Sequence, residues 1–187
     1  MVKHRCGWCI GDKLYEDYHD NEWGTPIKDD DTLFEFLILE TFQAGLSWIT
    51  ILRKRENFRK AFDLFNYKKI AQYDQSKKDL LLQNAGIIRN KLKVNATITN
   101  AQLFIKIQEE FGSFSTYIWS FVNNKPIKNK VKNYKDAPSN TNLSDTISKD
   151  LKKRGFKFVG STVVYAFMQA IGMINDHETK CFRYDEV

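Results

Sequence analysis

The sequence predicts a mainly α-helical fold, and three observations support this. Serine, threonine and glycine residues recur at positions typical of helix starts and ends. The long segments between them carry apolar residues at helical spacing. The sequence has no convincing pair of alternating apolar and polar strands, and no Asn-Gly hairpin turn.

The predicted helices follow one another with short breaks. Thr32 and Glu35 have the spacing of a capping box, which predicts a helix from Thr32 to about Ala44. Ser47 is placed to cap the next helix, which ends near Phe62. The remaining four predicted helices begin at Ser76, after Gly86, at Ser144 and at Ser161, and the last three end at Gly112, Gly155 and Gly172.

The composition indicates one domain in a reducing compartment. The chain has 187 residues, 42% of them hydrophobic, and no proline-rich or serine-rich linker. Its N-terminus lacks the pattern of a signal peptide, and no apolar run reaches the roughly 18 residues of a membrane span. We therefore expect a cytoplasmic protein without membrane contact, whose three cysteines are reduced thiols or metal ligands.

The charge distribution favours a polyanionic partner. The net charge is +6, and basic residues cluster at 53–55, 125–135 and 149–157. Such clusters are typical of nucleic-acid binding. A lysine-rich surface that binds nothing is the alternative, since charge alone does not separate the two.

Glu40 is the first candidate for a functional residue. It lies in a predicted helix that is apolar almost all round, and it shares one face with Leu33, Leu37 and Ala44. A buried carboxylate must be hydrogen-bonded, paired with a cation or protonated. Glu40 is therefore either a structural cap or salt-bridge partner, or an acceptor inside a pocket.

A set of aromatic residues is the second candidate. Trp8, Tyr15, Tyr18 and Trp23 lie in a polar, weakly periodic segment, and Trp48 follows the helix that carries Glu40. Aromatic residues usually belong to a core. Placed around a buried carboxylate, however, they would suit a flat, polar ligand such as a nucleobase, which stacking would hold.

A metal site is the third candidate. His177 and Cys181 are four residues apart, so that one turn of chain brings them to one ion. The N-terminal segment offers Cys6, Cys9 and His19 as further ligands. Two cysteines and two histidines form a closed, structural type of zinc site. Cys9 is an alternative ligand in this set, and His177 alone would be compatible with a surface position.

A short break around Gly86 separates two predicted helices, and Arg89 and Lys91 follow it. Backbone amides at such a helix start bind phosphate, and a glycine lets a DNA backbone approach closely. The arrangement is that of a helix-hairpin-helix motif, which predicts DNA contacts at these three residues. An ordinary helix corner explains a single glycine equally well.

Many separate motifs, in order, resemble the bacterial DNA-3-methyladenine glycosylase I family. They include RCGW, YHDNEWG, LETFQAGLSW, AGIIRNKLK, GFKFVGST and NDHETKC, and they extend from about Cys6 to Cys181. The resemblance implies a helix-hairpin-helix glycosylase fold in a single domain, residues 1–187. It also implies that segments 1–25 and 173–187 are joined by one structural zinc ion.

The resemblance also assigns residues to roles. The implied zinc ligands are Cys6, His19, His177 and Cys181. The implied base-binding residues are Trp8, Tyr15, Tyr18, Glu40 and Trp48. Among these Glu40 is similar to the glutamate that accepts hydrogen bonds from the adenine edge, and it is the expected catalytic residue.

The activity implied is excision of 3-methyladenine from double-stranded DNA by a monomeric enzyme. Hydrolysis of the N-glycosidic bond would leave an abasic site, without a strand-cleaving lyase step. One alternative is a zinc-stabilised DNA-binding module that has lost the enzyme's pocket. Intact Glu40, Tyr18 and Trp48 argue against this module. A thiol-disulfide oxidoreductase that uses Cys6 and Cys9 is another alternative, and it is disfavoured because such a pair lies at a helix start after a core strand.

Overall fold

A computed structural model describes residues 3–187 and confirms the mainly helical fold. Short 3-10 turns occur at Asp63–Phe65, Tyr134–Asp136 and Phe182–Asp185. The α-helices within the described residues are α1 Lys13–Asn21, α2 Asp30–Gln43, α3 Trp48–Ala61, α4 Tyr67–Ile70, α5 Gln75–Gln83, α6 Lys91–Phe111, α7 Phe114–Ser120, α8 Asn142–Lys153 and α9 Ser161–Ala170. None of them is long and apolar enough to cross a membrane.

Helix α2 forms the centre of the hydrophobic core. Every residue from Leu33 to Phe42 is buried, as expected for a helix that is apolar on all sides. Helices α3, α6, α7 and α9 pack around it. Because this part of α2 has no solvent-exposed face, the carboxylate of Glu40 lies inside the protein.

A two-residue parallel ladder, which the sequence did not predict, fixes the C-terminal segment. Strand β1, Ile127–Lys128, pairs with β2, Ile174–Asn175. Val131 continues the contact as an isolated bridge to Glu178. Strands this short carry no readable alternation, so the pairing arises from tertiary packing.

Three predicted capping residues were wrong, although the helices begin within two residues of the predicted positions. Helix α2 begins at Asp30, two residues before Thr32, because the Asp29 carboxylate accepts hydrogen bonds from the free amides of Asp31 and Thr32. The predicted capping box is absent, and Glu35 instead binds Arg55. Helix α5 is capped by Asp74 and helix α8 by Thr141, with Ser144 at the third helical position of a capping box. By contrast, the predicted starts at Ser47 and Ser161 and the ends at Gly112 and Gly172 agree with the structure to within one or two residues.

Two further expectations change. The segment that carries Tyr15 and Tyr18 is a helix, α1, capped by Asp12. One member of the basic cluster at 53–55 is unavailable to a partner, because Arg55 is buried and bonded to Glu22 and Glu35. That cluster is therefore a smaller cationic surface than the sequence suggests.

Candidate base-binding cavity and metal centre

The structure brings the four implied metal ligands together from opposite ends of the chain. Cys6 precedes α1, His19 lies in its last turn, and His177 and Cys181 follow β2. All four are buried, and their ligand atoms lie within 4.8 Å of one another. Local spacing indicated only the pair His177 and Cys181, since 171 residues separate Cys6 from His177.

Three distances between these ligand atoms fit a tetrahedral zinc ion. Cys6 Sγ is 3.5 Å from His177 Nδ1, and Cys181 Sγ is 3.4 Å from His19 Nε2 and 3.6 Å from His177 Nδ1. Zinc–ligand bonds of 2.0–2.3 Å would give tetrahedron edges of about 3.3–3.8 Å. The donor set and its geometry therefore suit zinc.

The outer nitrogen of each histidine is held by an acceptor, which aims the inner nitrogen at the cluster. His19 Nδ1 lies 2.9 Å from an Asp20 carboxylate oxygen. His177 Nε2 lies 3.1 Å from the backbone carbonyl oxygen of Trp23. Hydrogen bonds of this kind fix the tautomer and orientation of histidine ligands. Glycine is required beside this contact, because a Cβ at Gly24 would lie 2.8 Å from His177 Nε2.

The three cysteines have distinct environments. Mutual hydrogen bonding between Cys6 and Cys181 lowers the pKa of Cys181 and, with burial, raises the pKa of Cys6. Cys9 lies outside the cluster and donates to the Cys6 carbonyl, and burial raises its pKa to about 12. A reactive redox cysteine needs an exposed thiol of low pKa. Cys9 therefore matches neither a ligand nor a redox pair.

The predicted base-binding residues line one cavity of about 180 Å³. Tyr15 and Tyr18 project from α1, Glu40 from α2 and Trp48 from the start of α3. Trp8 contacts this wall edge-on, with its ring centroid 4.8 Å from that of Tyr15. All five sequence-predicted residues thus meet, although they come from four separate segments.

Three buried polar atoms in this cavity have no hydrogen-bond partner among residues 3–187. They are Tyr18 Oη, Glu40 Oε2 and Trp48 Nε1. Buried polar groups are normally satisfied, and an unsatisfied one destabilises a protein by about 1–3 kcal/mol. Three such residues around one cavity mark it as the candidate site for a polar ligand.

Burial also sets the ionisation of these groups. It raises the pKa of Glu40 from 4.5 to about 8 and that of Tyr15 to about 12. Burial, followed by the negative charge of Glu40, raises the pKa of Tyr18 well above its ordinary value. At neutral pH Glu40 is thus largely protonated, and a cationic ligand would favour its ionised form.

Comparisons with known proteins identify the family. The methyladenine glycosylase family model matches residues 8–184. The chain is 48% identical to Escherichia coli DNA-3-methyladenine glycosylase 1 over 180 residues, which are 96% of each protein. This chain belongs to the methyladenine glycosylase family.

Solved structures support the same assignment. A 3-methyladenine DNA glycosylase I from Staphylococcus aureus, described for its recognition of 3-methyladenine, is 37% identical with a TM-score of 0.92 over 97% of both chains. A variant of 3-methyladenine DNA glycosylase I in complex with 3-methyladenine matches equally well, with 37% identity and a TM-score of 0.92 over 95% of this chain and 96% of that one.

The cavity of this methyladenine glycosylase includes residues that the sequence did not single out. Gln43 follows Glu40 by one turn of α2, a spacing that could have identified it. Gln169 and Asp176 come from α9 and the segment after β2. Asp176 accepts hydrogen bonds from Asn129, Tyr165 and Gln169. Only the tertiary fold brings these side chains to the cavity, so no sequence signal marks them.

The glycosylase's residues 84–90 connect α5 to α6, as a helix-hairpin-helix reading requires. Arg89 and Lys91 are exposed there. Gly86 donates its amide to Asn84 Oδ1 at 2.8 Å, so this amide already has a partner. A Cβ at Gly86 would meet the same oxygen at 2.9 Å. A side chain at position 86 would therefore displace the Asn84 side chain that holds this turn.

Proposed function

We propose that this glycosylase flips 3-methyladenine out of duplex DNA and hydrolyses its N-glycosidic bond, leaving an abasic site. One observation carries the proposal: Tyr18, Glu40 and Trp48 line one aromatic cavity, and each has a buried polar atom without a partner among residues 3–187. A flat ligand with hydrogen-bonding edges satisfies all three. The relatives named for 3-methyladenine support the choice of base.

Recognition rests on charge and hydrogen bonding together. Methylation at N3 gives the base in DNA a positive charge, and entry of that cation favours the ionised form of Glu40. Tyr18 Oη donates or accepts, and Trp48 Nε1 donates only. The aromatic walls supply stacking, which is worth about 1–3 kcal/mol per base. An unmethylated adenine would gain less, because it is neutral.

The chemical step depends mainly on positioning. The methylated base leaves as a neutral molecule, so the leaving group is already activated and a strong general acid is unnecessary. Flipping costs a few kcal/mol, and less for a damaged base. As the base becomes neutral, its Coulomb attraction to Glu40 falls away. No lysine is among the described residues that line the cavity, and we propose water as the nucleophile, without a lyase step.

The DNA contacts proposed for this chain lie on the helix-hairpin-helix turn. Arg89 and Lys91 are exposed beside Gly86 and would pair with phosphates. The net charge of +6 supports binding to a polyanion. These contacts position the duplex and carry no sequence information, which suits an enzyme that searches for damage.

We propose one structural zinc ion, held by Cys6, His19, His177 and Cys181. Bound zinc supplies a cross-link between the segments 1–25 and 173–187, and four protein ligands leave no open position for chemistry. The cluster supports the aromatic wall directly, because the Trp23 ring lies 4.6 Å from that of His177 and 5.0 Å from that of Trp8.

We further propose a monomer with a single domain over residues 1–187. One hydrophobic cluster includes residues from α1 to β2. Both the cavity and the metal cluster are built entirely from one chain. Neither site therefore requires a second copy.

Base release from methylated duplex DNA tests the proposal. The released bases are separated and identified, with Glu40→Gln prepared in parallel as the control. We expect 3-methyladenine from the wild-type protein and very little from the variant. A protein that binds duplex DNA but releases no base would instead be the non-enzymatic module, and the proposed function would be wrong.

A further inference from the structure

Lys93 is a buried lysine whose role the base cavity and the metal cluster do not explain. It lies in the first turn of α6 and is only 6% exposed. Its Nζ donates to the backbone carbonyls of Phe42 at 2.8 Å and Ala44 at 2.7 Å. Burying an ammonium group is costly, and burial lowers the pKa of Lys93. The two hydrogen bonds to these carbonyls offset that cost, so they indicate a specific role for Lys93 at this position.

The two carbonyls lie at the end of the helix that carries Glu40. Helix α2 ends at Gln43, and its last carbonyls have no partner within the helix. A cation at a helix C-terminus also interacts favourably with the helix dipole. Lys93 therefore fixes the point at which the chain leaves α2.

The chain beyond this point connects two elements that line the cavity. Residues 44–47 connect α2 to α3, so they link Glu40 to Trp48. Gly45 has a φ of +82°, and Leu46 is 41% exposed. Gln43, Leu46 and Glu40 also line a second opening, opposite Thr162 of α9. The position of this loop therefore sets both the distance between two base-binding residues and the shape of this second opening.

Lys93 also lies directly after the proposed DNA-binding turn. Its backbone amide donates to Asn90 Oδ1, the cap of α6, and Lys91 is two residues before it. A second lysine makes a parallel link, because Lys54 of α3 donates to the carbonyls of Ala85 and Gly86. The turn that would contact phosphates is thus bonded to both helices that carry Glu40 and Trp48.

We propose that Lys93 is a positioning residue that holds the 44–47 loop in register with the DNA-binding turn, so that a duplex docked on the turn presents its flipped base to the cavity. The inference rests on the proposed function. It predicts that binding of a free base and excision from DNA respond differently to a change at Lys93. Binding of a free base needs only the cavity, whereas excision from DNA needs the cavity and the turn in their correct relative positions.

The test compares Lys93→Met with Lys106→Met, an exposed lysine on the same helix. Methionine keeps the apolar stem but cannot donate to the carbonyls. Three quantities are measured: affinity for free 3-methyladenine, affinity for undamaged duplex, and the single-turnover excision rate at saturating enzyme. For Lys93→Met we expect both affinities within about twofold of wild type and an excision rate at least about tenfold lower.

Lys93→Arg keeps the charge and the donors, and we expect it to restore most of the excision rate. Should the methionine variant not accumulate as folded protein, Lys93→Leu carries the same comparison, because leucine likewise cannot donate to the carbonyls. An excision rate in Lys93→Met equal to that of Lys106→Met would overturn the inference. So would a loss of free-base affinity in proportion to excision, because that would indicate a merely structural role.

The wild-type protein separates this result from the proposed function. Release of 3-methyladenine by wild type with an unaffected Lys93→Met variant overturns only the role of Lys93. Absence of release by wild type overturns the proposed function and this inference with it.

Discussion

The metal cluster and the base cavity are adjacent, but they differ in whether their buried polar atoms have partners. In the cluster both histidines have their outer nitrogens bonded, to Asp20 and to the Trp23 carbonyl, and their inner nitrogens face two cysteine sulfurs. In the cavity Tyr18 Oη, Glu40 Oε2 and Trp48 Nε1 have no partner among residues 3–187.

This difference separates a site built for stability from a site built for a ligand. A cluster with every hydrogen bond in place is oriented to hold one ion permanently. A cavity with unpartnered groups is less stable alone, and it recovers that stability when a complementary molecule enters. Mutations in the two regions should therefore have opposite effects on folding, and the following experiments test that contrast.

The largest effect is expected from removing a metal ligand. Cys181→Ser should lower the amount of bound zinc. It should also lower the free energy of unfolding by about 4 kcal/mol or more, because zinc binding contributes directly to folding. Metal analysis and thermal unfolding on the same sample measure both. Cys9→Ser is the matched control and should retain zinc, since Cys9 lies outside the cluster. Full zinc content in Cys181→Ser would exclude it as a ligand.

The next largest effect is on excision. Glu40→Gln should lower the single-turnover rate by about 10²–10³-fold, a magnitude typical of losing one preorganised electrostatic contact. Zinc content and affinity for undamaged duplex should remain those of wild type. A rate equal to that of wild type would remove Glu40 from the recognition of the base.

The same substitution should stabilise the folded protein, and increasingly so as pH rises. Burial raises the pKa of Glu40 from 4.5 to about 8. Between these values the folded protein retains a proton that the unfolded chain has released, so wild-type stability falls with rising pH. Glutamine removes this term. From pH 6 to pH 8 the stability gain of Glu40→Gln should grow by about 2 kcal/mol, at about 1.4 kcal/mol per pKa unit.

Denaturant unfolding at both pH values measures this growth. A gain that does not change with pH, or a destabilised variant, would show that the Glu40 carboxyl has a partner in the folded protein.

The smallest effects come from two tyrosine hydroxyls. Tyr18 Oη has no described partner, whereas Tyr165 Oη donates to Asp176 at 2.6 Å. Tyr165→Phe should therefore destabilise the protein by about 1 kcal/mol, and Tyr18→Phe should not destabilise it. Excision should show the reverse order, with Tyr18→Phe about tenfold slower. Equal destabilisation by both variants would remove the distinction between the two hydroxyls.

Much of this arrangement could be predicted from the sequence, and the reason lies in local patterns. The all-round apolar character of α2 predicts a buried Glu40, and the structure confirms that burial. Glycines and a serine mark several helix ends, and these ends could be predicted because capping depends on residues close in sequence. The family resemblance additionally predicted which residues meet at the cavity.

The remainder could not be predicted, since it depends on contacts between distant segments. The Thr32 error is an exception, because it is local: Asp29, three residues earlier, accepts from the amides of Asp31 and Thr32, so Thr32 already lies inside the helix. Nothing local to Asp176 or Lys93 indicates its neighbours, which lie on other elements. Whether a buried polar atom has a partner is likewise a tertiary property.

The central claim is that the three unpartnered atoms of the cavity form the base-recognition set, and titration with free 3-methyladenine tests it most directly. The indole N–H resonance of Trp48, assigned with Trp48→Phe, is followed by NMR while 3-methyladenine or adenine is added. We expect a saturable shift with 3-methyladenine, at an affinity at least about tenfold above that for adenine. Both free bases are neutral, so this difference would come from the change that methylation at N3 makes in the hydrogen-bonding pattern of the base. An unshifted Trp48 resonance, or equal affinity for the two bases, would contradict the claim.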